Sequence, residues 1–156
     1  MLTIQIPGRE TPLTLAHVVL DYNGTLAKDG LLLPGVAERL TALARSVTVT
    51  VLTADTYGTA ASQCSALPVT LATFPQDGAA QCKADIARSL VGGVAALGNG
   101  YNDILLLDAA TLSIAVLEQE GLCGALLAHA EILVRSPCDG LDLLLQPNRL
   151  RATLRS

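Results

Sequence analysis

Short apolar runs rich in valine, isoleucine and leucine alternate along this chain with longer stretches in which apolar residues recur at helical spacing. The runs predict strands at Leu2–Ile6, His17–Leu20, Val47–Leu52, Val69–Thr73, Val94–Leu97, Leu112–Val116 and Glu131–Val134. Between them the spacing predicts a helix that starts near Pro34 and carries Val36, Leu40 and Leu43 on one face. Further helices are expected over Thr56–Ala66, Asp77–Leu90, Asn102–Ala110 and Leu122–Ala128, with a last helical part after Pro137. Pro34 suits a first turn because its φ is already helical and its missing N–H would have had no partner there. The stretch around Pro7-Gly8 and Pro12 reads as turns, and Leu26 to Leu33 is long enough only for a hairpin with Asp29-Gly30 at its tip.

Strands and helices taken in turn specify a parallel sheet covered on both faces, with ligands at the carboxyl ends of the strands. The expected fold is α/β: a single three-layer αβα Rossmann-like domain with a mostly parallel sheet, spanning residues 1–156. No internal repeat, low-complexity segment or linker divides the chain.

The residues at those strand ends carry the candidate chemistry. Val18-Val19-Leu20 ends in a carboxylate, Asp21, and the small and polar residues Asn23, Gly24 and Thr25 must then turn the backbone sharply. An Asp at the mouth of a buried strand can attack phosphorus, hold a metal, or only cap the turn. The second long strand runs into Thr53-Ala54-Asp55, which offers a hydroxyl and free N–H groups to an anion. Lys83, the only lysine besides Lys28, sits in a helical stretch, where a lone ammonium suits neutralisation of a phosphoryl group. Strand Val94–Leu97 leads into Gly98-Asn99-Gly100-Tyr101-Asn102-Asp103, whose oxygen-bearing side chains can hold a hard cation.

In this order, Asp21-Tyr22-Asn23-Gly24-Thr25, Thr53, Lys83 and Gly98-Asn99-Gly100-Tyr101-Asn102-Asp103 resemble the four motifs of the haloacid dehalogenase superfamily, over about residues 15 to 135. Within it the chain looks like a free-standing relative of the phosphorylation domain of P-type ATPases. The resemblance implies a sheet with the His17 strand in the middle, flanked by those at Val47 and Val94, an Mg²⁺ cofactor, and an aspartyl phosphate on Asp21. It assigns catalysis to Asp21, Asn23 and Lys83, and substrate binding to Gly24, Thr25, Thr53, Ala54 and Lys83. Metal binding falls to Asp21, the backbone carbonyl of Asn23, Asn99 and Asp103. Family members that carry a cap domain insert it after the first motif or between the second and third. Neither Leu26 to Leu33 nor Asp55 to Lys83 has room for one, so the site should be capless. An open site either takes a large substrate or is covered by a neighbouring subunit; Leu31-Leu32-Leu33 fits a homo-oligomer contact or packing on the domain's own core.

Two positions depart from the family pattern. Asn23 stands where phosphatase members carry an Asp that protonates the leaving group, and an amide cannot do this. Asn99 stands where the resembled loop has a metal-binding Asp, so one negative charge is missing and metal affinity should be modest. The expected function is a magnesium-dependent phosphoryl-transfer enzyme, a phosphatase-like hydrolase of a small phosphorylated molecule or acyl phosphate. The alternative is a degenerate phosphate- or protein-binding domain with little or no turnover. A response-regulator receiver fits poorly, because such domains accept phosphate on an Asp at the third strand, which here ends in Thr73-Phe74.

Composition narrows the partners. A net charge of −4 and 3% aromatic residues leave neither the clustered cations nor the stacking platforms that nucleic acids require. The basic tail from Arg149 to Arg155 reads as a final helix whose cations favour the negative end of its dipole. No apolar run approaches the roughly 18 residues of a membrane span, so no membrane contact is expected. Cys64, Cys82, Cys123 and Cys138 show no Cys-X-X-Cys spacing and no secretory signal precedes them; reduced thiols in the cytoplasm are expected. His17 and His129 read as structural.

Overall fold

The computed structural model describes residues 1–156. The strands are β1 (Leu2–Ile4), β2 (Leu13–Leu15), β3 (His17–Asp21), β4 (Ala27–Lys28), β5 (Leu31–Leu32), β6 (Thr48–Thr53), β7 (Thr70–Thr73), β8 (Val94–Gly98), β9 (Leu112–Val116) and β10 (Ile132–Val134). The helices are α1 (Val36–Leu43), α2 (Ala60–Cys64), α3 (Ala79–Ser89), α4 (Ile104–Ala109), α5 (Pro137–Leu145) and α6 (Pro147–Leu154).

Six strands form one parallel sheet in the order β10-β9-β8-β3-β6-β7. β3 lies between β6 and β8, as the resemblance implied. Its Val18, Val19 and Leu20 are all fully buried, because helices cover both faces and a strand in such a place has no solvent side. The period of two then divides them: Val18 and Leu20 join the apolar layer that includes α1 and α5, whereas Val19 joins the layer of α3 and α4. The result is a three-layer α/β fold in which every strand of the sheet points its carboxyl end the same way.

Between β3 and α1 the chain forms only the β4-β5 hairpin, with Asp29 at φ 50° and Gly30 at φ 78°, the paired positive angles of a two-residue turn. There is no cap domain. The hairpin is tied back to the body, since the Gly30 carbonyl accepts from the hydroxyls of Tyr22 at 2.8 Å and Thr59 at 2.6 Å. Leu32 and Leu33 pack on the core, while Leu31 stays 56% exposed.

Several elements differ from the sequence expectation. Leu13–Leu15 pairs antiparallel with Leu2–Ile4, although Pro12 and its surroundings read as turns; burial of Leu13 and Leu15 against the core decides the matter. The segment expected as a helix over Leu122–Ala128 is a 3₁₀ stretch at Gly124–His129, in which only Leu126 is buried and glycine weakens any α-helical preference. The terminal helical part is two helices, because Pro147 disfavours a helical Gln146, which adopts φ −122° and ψ 74°. Ser136 caps α5, its hydroxyl oxygen accepting from the Asp139 N–H at 3.0 Å.

Candidate active site

β3 ends in Asp21, which is 6% exposed. Immediately after it the backbone doubles back, with the N–H groups of Thr25, Leu26 and Ala27 all directed at the Tyr22 carbonyl. Gly24 has φ +80°, and a Cβ there would lie 2.4 Å from Asn99 Nδ2. Only glycine gives both the left-handed angle and the close approach to the loop after β8. The turn buries Thr25, whose hydroxyl lies 3.0 Å from Asp21 Oδ2 and 3.1 Å from Asn99 Oδ1. Those two oxygens therefore converge on one point.

Lys83 reaches the other side of the carboxylate from α3. Its Nζ donates to Asp21 Oδ1 at 2.6 Å, Asp103 Oδ1 at 2.7 Å and Asn102 Oδ1 at 3.3 Å, which uses all three ammonium protons. Asp103 is fully buried, and its Oδ2 accepts from the backbone N–H groups of Asn99 and Gly100, both at 3.0 Å. A Cβ at Gly98 would stand 2.6 Å from Asp103 Cγ, so glycine is what lets this carboxylate fold back under its own loop. Asp103 thus braces Lys83 and shapes the loop from behind.

Thr53 and Ala54 end β6 beside Asp21. The Thr53 hydroxyl oxygen accepts from the Asp55 N–H at 2.8 Å and lies 3.5 Å from Asn23 Nδ2. Asn23 Oδ1 is buried without a hydrogen-bond partner. Asn99 is held by groups that the sequence does not advertise: its Nδ2 donates to the Gly121 carbonyl at 3.1 Å, and its backbone carbonyl accepts from the Cys123 N–H at 2.9 Å. A carboxylate in its place would set an oxygen against the Gly121 carbonyl. This gives the amide a structural reason beyond lost charge.

The electrostatics follow from burial. Loss of solvent, then the neighbouring Asp103 carboxylate, pushes the Asp21 carboxyl up to about 7, although Lys83 and the Thr25 hydroxyl pull the other way. Burial also works against the Lys83 ammonium. Asp21 and Asp103 outweigh that effect and hold its pKa above the ordinary lysine value.

These groups border a cleft of about 240 Å³ at the carboxyl end of the sheet. Asp21, Asn23, Thr53, Ala54, Lys83 and Asn99 line it, while Gly24, Thr25 and Asp103 support it from behind. Sequence reasoning assigned no role to Phe74 or Ala79, which form its apolar wall. Phe74 directly follows β7, and its place just beyond a strand's carboxyl end was the available signal. Lys28 is not part of the lining and bonds Gln119. His17 lies at the opposite end of β3 against the Val91 carbonyl, and His129 pairs with Asp108 at 2.7 Å, both outside the site. The four cysteines are free thiols. No helix is long and apolar enough to cross a membrane.

Parallel sheet, strand-end residues and missing cap together define a capless protein of the haloacid dehalogenase-like fold. Among solved structures, the chain is similar to 3-deoxy-D-manno-octulosonate 8-phosphate phosphatase from Moraxella catarrhalis in complex with magnesium, phosphate and KDO. The TM-score is 0.71 at 15% identity, over 90% of this chain and 94% of that one. It is also similar to a zinc-transporting PIB-type ATPase, with TM-score 0.62 and 25% identity, over 78% of this chain and 20% of the ATPase. In sequence it is 47% identical over 62 residues to the uncharacterized protein MJ0073 of Methanocaldococcus jannaschii, covering 40% of this chain and 67% of that protein. No protein-family profile matches the chain.

Proposed function

We propose that residues 1–156 act as one magnesium-dependent phosphoryl-transfer domain, a phosphatase-like hydrolase that forms an aspartyl phosphate on Asp21. The carrying observation is the Asp21 carboxylate at the cleft floor, flanked by the Lys83 ammonium and the Thr25 hydroxyl. An Asp21 oxygen attacks phosphorus, and the leaving group departs with the electron pair of the broken P–O bond. Lys83 neutralises the phosphoryl oxygens, while the Thr53 hydroxyl and the Ala54 backbone N–H orient them. The Gly24 N–H already donates to the Ala27 carbonyl at 2.9 Å, so Gly24 acts by shaping the turn. Water then hydrolyses the phosphoenzyme.

The residues fit a hard divalent cation. Asp21 Oδ2 and Asn99 Oδ1 converge on the Thr25 hydroxyl, and no thiol or imidazole lines the cleft. Asp21, the Asn23 carbonyl and Asn99 would hold Mg²⁺, with Asp103 acting through the loop it braces. When bound, the ion supplies charge neutralisation at the phosphoryl oxygens and keeps Asp21 ionised. The magnesium, phosphate and KDO complex of the Moraxella catarrhalis phosphatase supports a small phosphorylated substrate.

Asn23 decides which leaving groups succeed. It lacks a transferable proton, so acetyl phosphate and activated aryl phosphates should turn over faster than alkyl esters. Asn23→Asp should raise alkyl-ester hydrolysis by about 10² to 10⁴-fold, the usual contribution of a general acid–base. The added charge raises the Asp21 pKa further and works against part of that gain. Steady-state rates for both substrate types at saturating Mg²⁺ check this; inactivity of both proteins on every substrate would leave the phosphate- or protein-binding alternative.

Free thiols suit a reducing, cytoplasmic setting, and the net charge of −4 disfavours nucleic acid. The exposed Leu31 at the hairpin, on a site without a cap, supports a homo-oligomer in which a second copy covers the cleft. Light scattering at micromolar concentration should give a mass above 16.1 kDa, which Leu31→Glu returns to the monomer value; a parent protein that is already monomeric refutes it.

A further inference from the structure

The charge around the cleft restricts what can be attached to the phosphate. Of the ten Lys and Arg residues in the chain, Lys83 is the only one that lines the cleft. Its three protons are already directed at Asp21, Asp103 and Asn102. No other cation lies within two residues of any lining position, whereas Asp55 directly follows Ala54 and Asp77 stands two residues before Ala79. Asp77 is exposed, and Asp55 is half-buried with one oxygen accepting from the Ala60 N–H at 3.0 Å. The remaining lining is neutral: carboxamides, threonine hydroxyls and the apolar Phe74 and Ala79.

We propose that this site selects a phosphoryl donor whose remainder carries no second negative charge, such as the phosphomonoester of a neutral alcohol or polyol. Bisphosphates, nucleoside polyphosphates and phosphorylated acids are selected against because the lining holds no second cation. The inference rests on the phosphoryl-transfer reading of the same cleft and adds its substrate class. Lys83 is committed to the one phosphoryl group, and the lining offers no second side-chain cation to a further anion; a wrong ligand is rejected when its extra charge is left unpaired.

The test compares ligands matched except for charge. Glycerol 3-phosphate against 3-phosphoglycerate, and phenyl phosphate against 4-carboxyphenyl phosphate, are titrated calorimetrically into the full chain with Mg²⁺ at low ionic strength. The neutral-tailed member of each pair should bind at least about tenfold tighter, a difference of about 1.4 kcal/mol. Asp77→Lys, outside the catalytic machinery, should narrow the ratio about threefold or more and leave acetyl phosphate hydrolysis unchanged. Equal affinities within each pair, preference for the carboxylated member, or no binding of either at millimolar concentration overturns the proposal. Acetyl phosphate hydrolysis in the same preparation separates the two ideas. Turnover without charge selection sinks this inference alone, and charge selection without turnover sinks only the catalytic reading.

Discussion

Asp21→Asn is expected to abolish phosphoryl transfer and at the same time to stabilise the metal-free protein at neutral to alkaline pH. Loss of a nucleophile of this kind lowers turnover by about 10⁴-fold or more. The stability effect follows from linkage. The Asp21 carboxyl titrates near 3.8 when unfolded and is pushed up to about 7 when folded, chiefly by burial. Between those values the folded state binds more protons, so the contribution is fully present below 3.8 and is lost as pH rises through about 7. Above that pH the native protein carries an ionised carboxylate in a poorly solvated place beside Asp103. An amide removes that cost but also weakens one Lys83 contact, which leaves a net gain of about 1 kcal/mol, or about 2–4 °C in melting temperature for a chain of this size. Melting curves in chelator at pH 8 should show the gain, and at pH 4 it should nearly vanish. A variant that melts below the parent at pH 8 would show that the Lys83 contact outweighs the burial cost. Added Mg²⁺ should raise the parent's melting temperature more than the variant's, because binding stabilises only the form that binds.

Lys83→Met should be the most damaging substitution at the site. Methionine fills similar space, but Asp21 and Asp103 then face each other across a buried gap without the cation that now lies 2.6 and 2.7 Å from their oxygens. Removing one partner from a buried charge network typically costs about 3–5 kcal/mol, a large share of the stability of a small domain. Urea unfolding should show the midpoint falling with an unchanged slope. In an Asp21→Asn background the same change should cost much less, because only Asp103 is left uncompensated. Equal costs in both backgrounds would mean that Lys83 acts by packing rather than charge.

The strand pattern was legible in the sequence because a parallel sheet covered on both faces needs largely apolar segments: β3 and β8 carry continuous apolar runs, and β6 and β9 interrupt theirs only with Thr48, Thr50 and Ser113 before their last residues. The hairpin was legible for a different reason: Asp29-Gly30 between two short apolar segments has few other uses. β2 was hidden, because three residues after a proline carry no periodicity that distinguishes a strand from a turn.

At the site, the chain's own order placed Asp21, Thr53 and the loop from Gly98 to Asp103 at the strands' carboxyl ends, since where an apolar run stops is a local property; Lys83 comes from within α3. What each group does there is not local. That Asp103 turns one oxygen to Lys83 and the other to its own loop, that Asn99 is held by Gly121, and that Phe74 walls the cleft are contacts that no local pattern encodes. Burial and hydrogen-bond satisfaction choose such partners only when the layers have packed, so tertiary structure alone decided them.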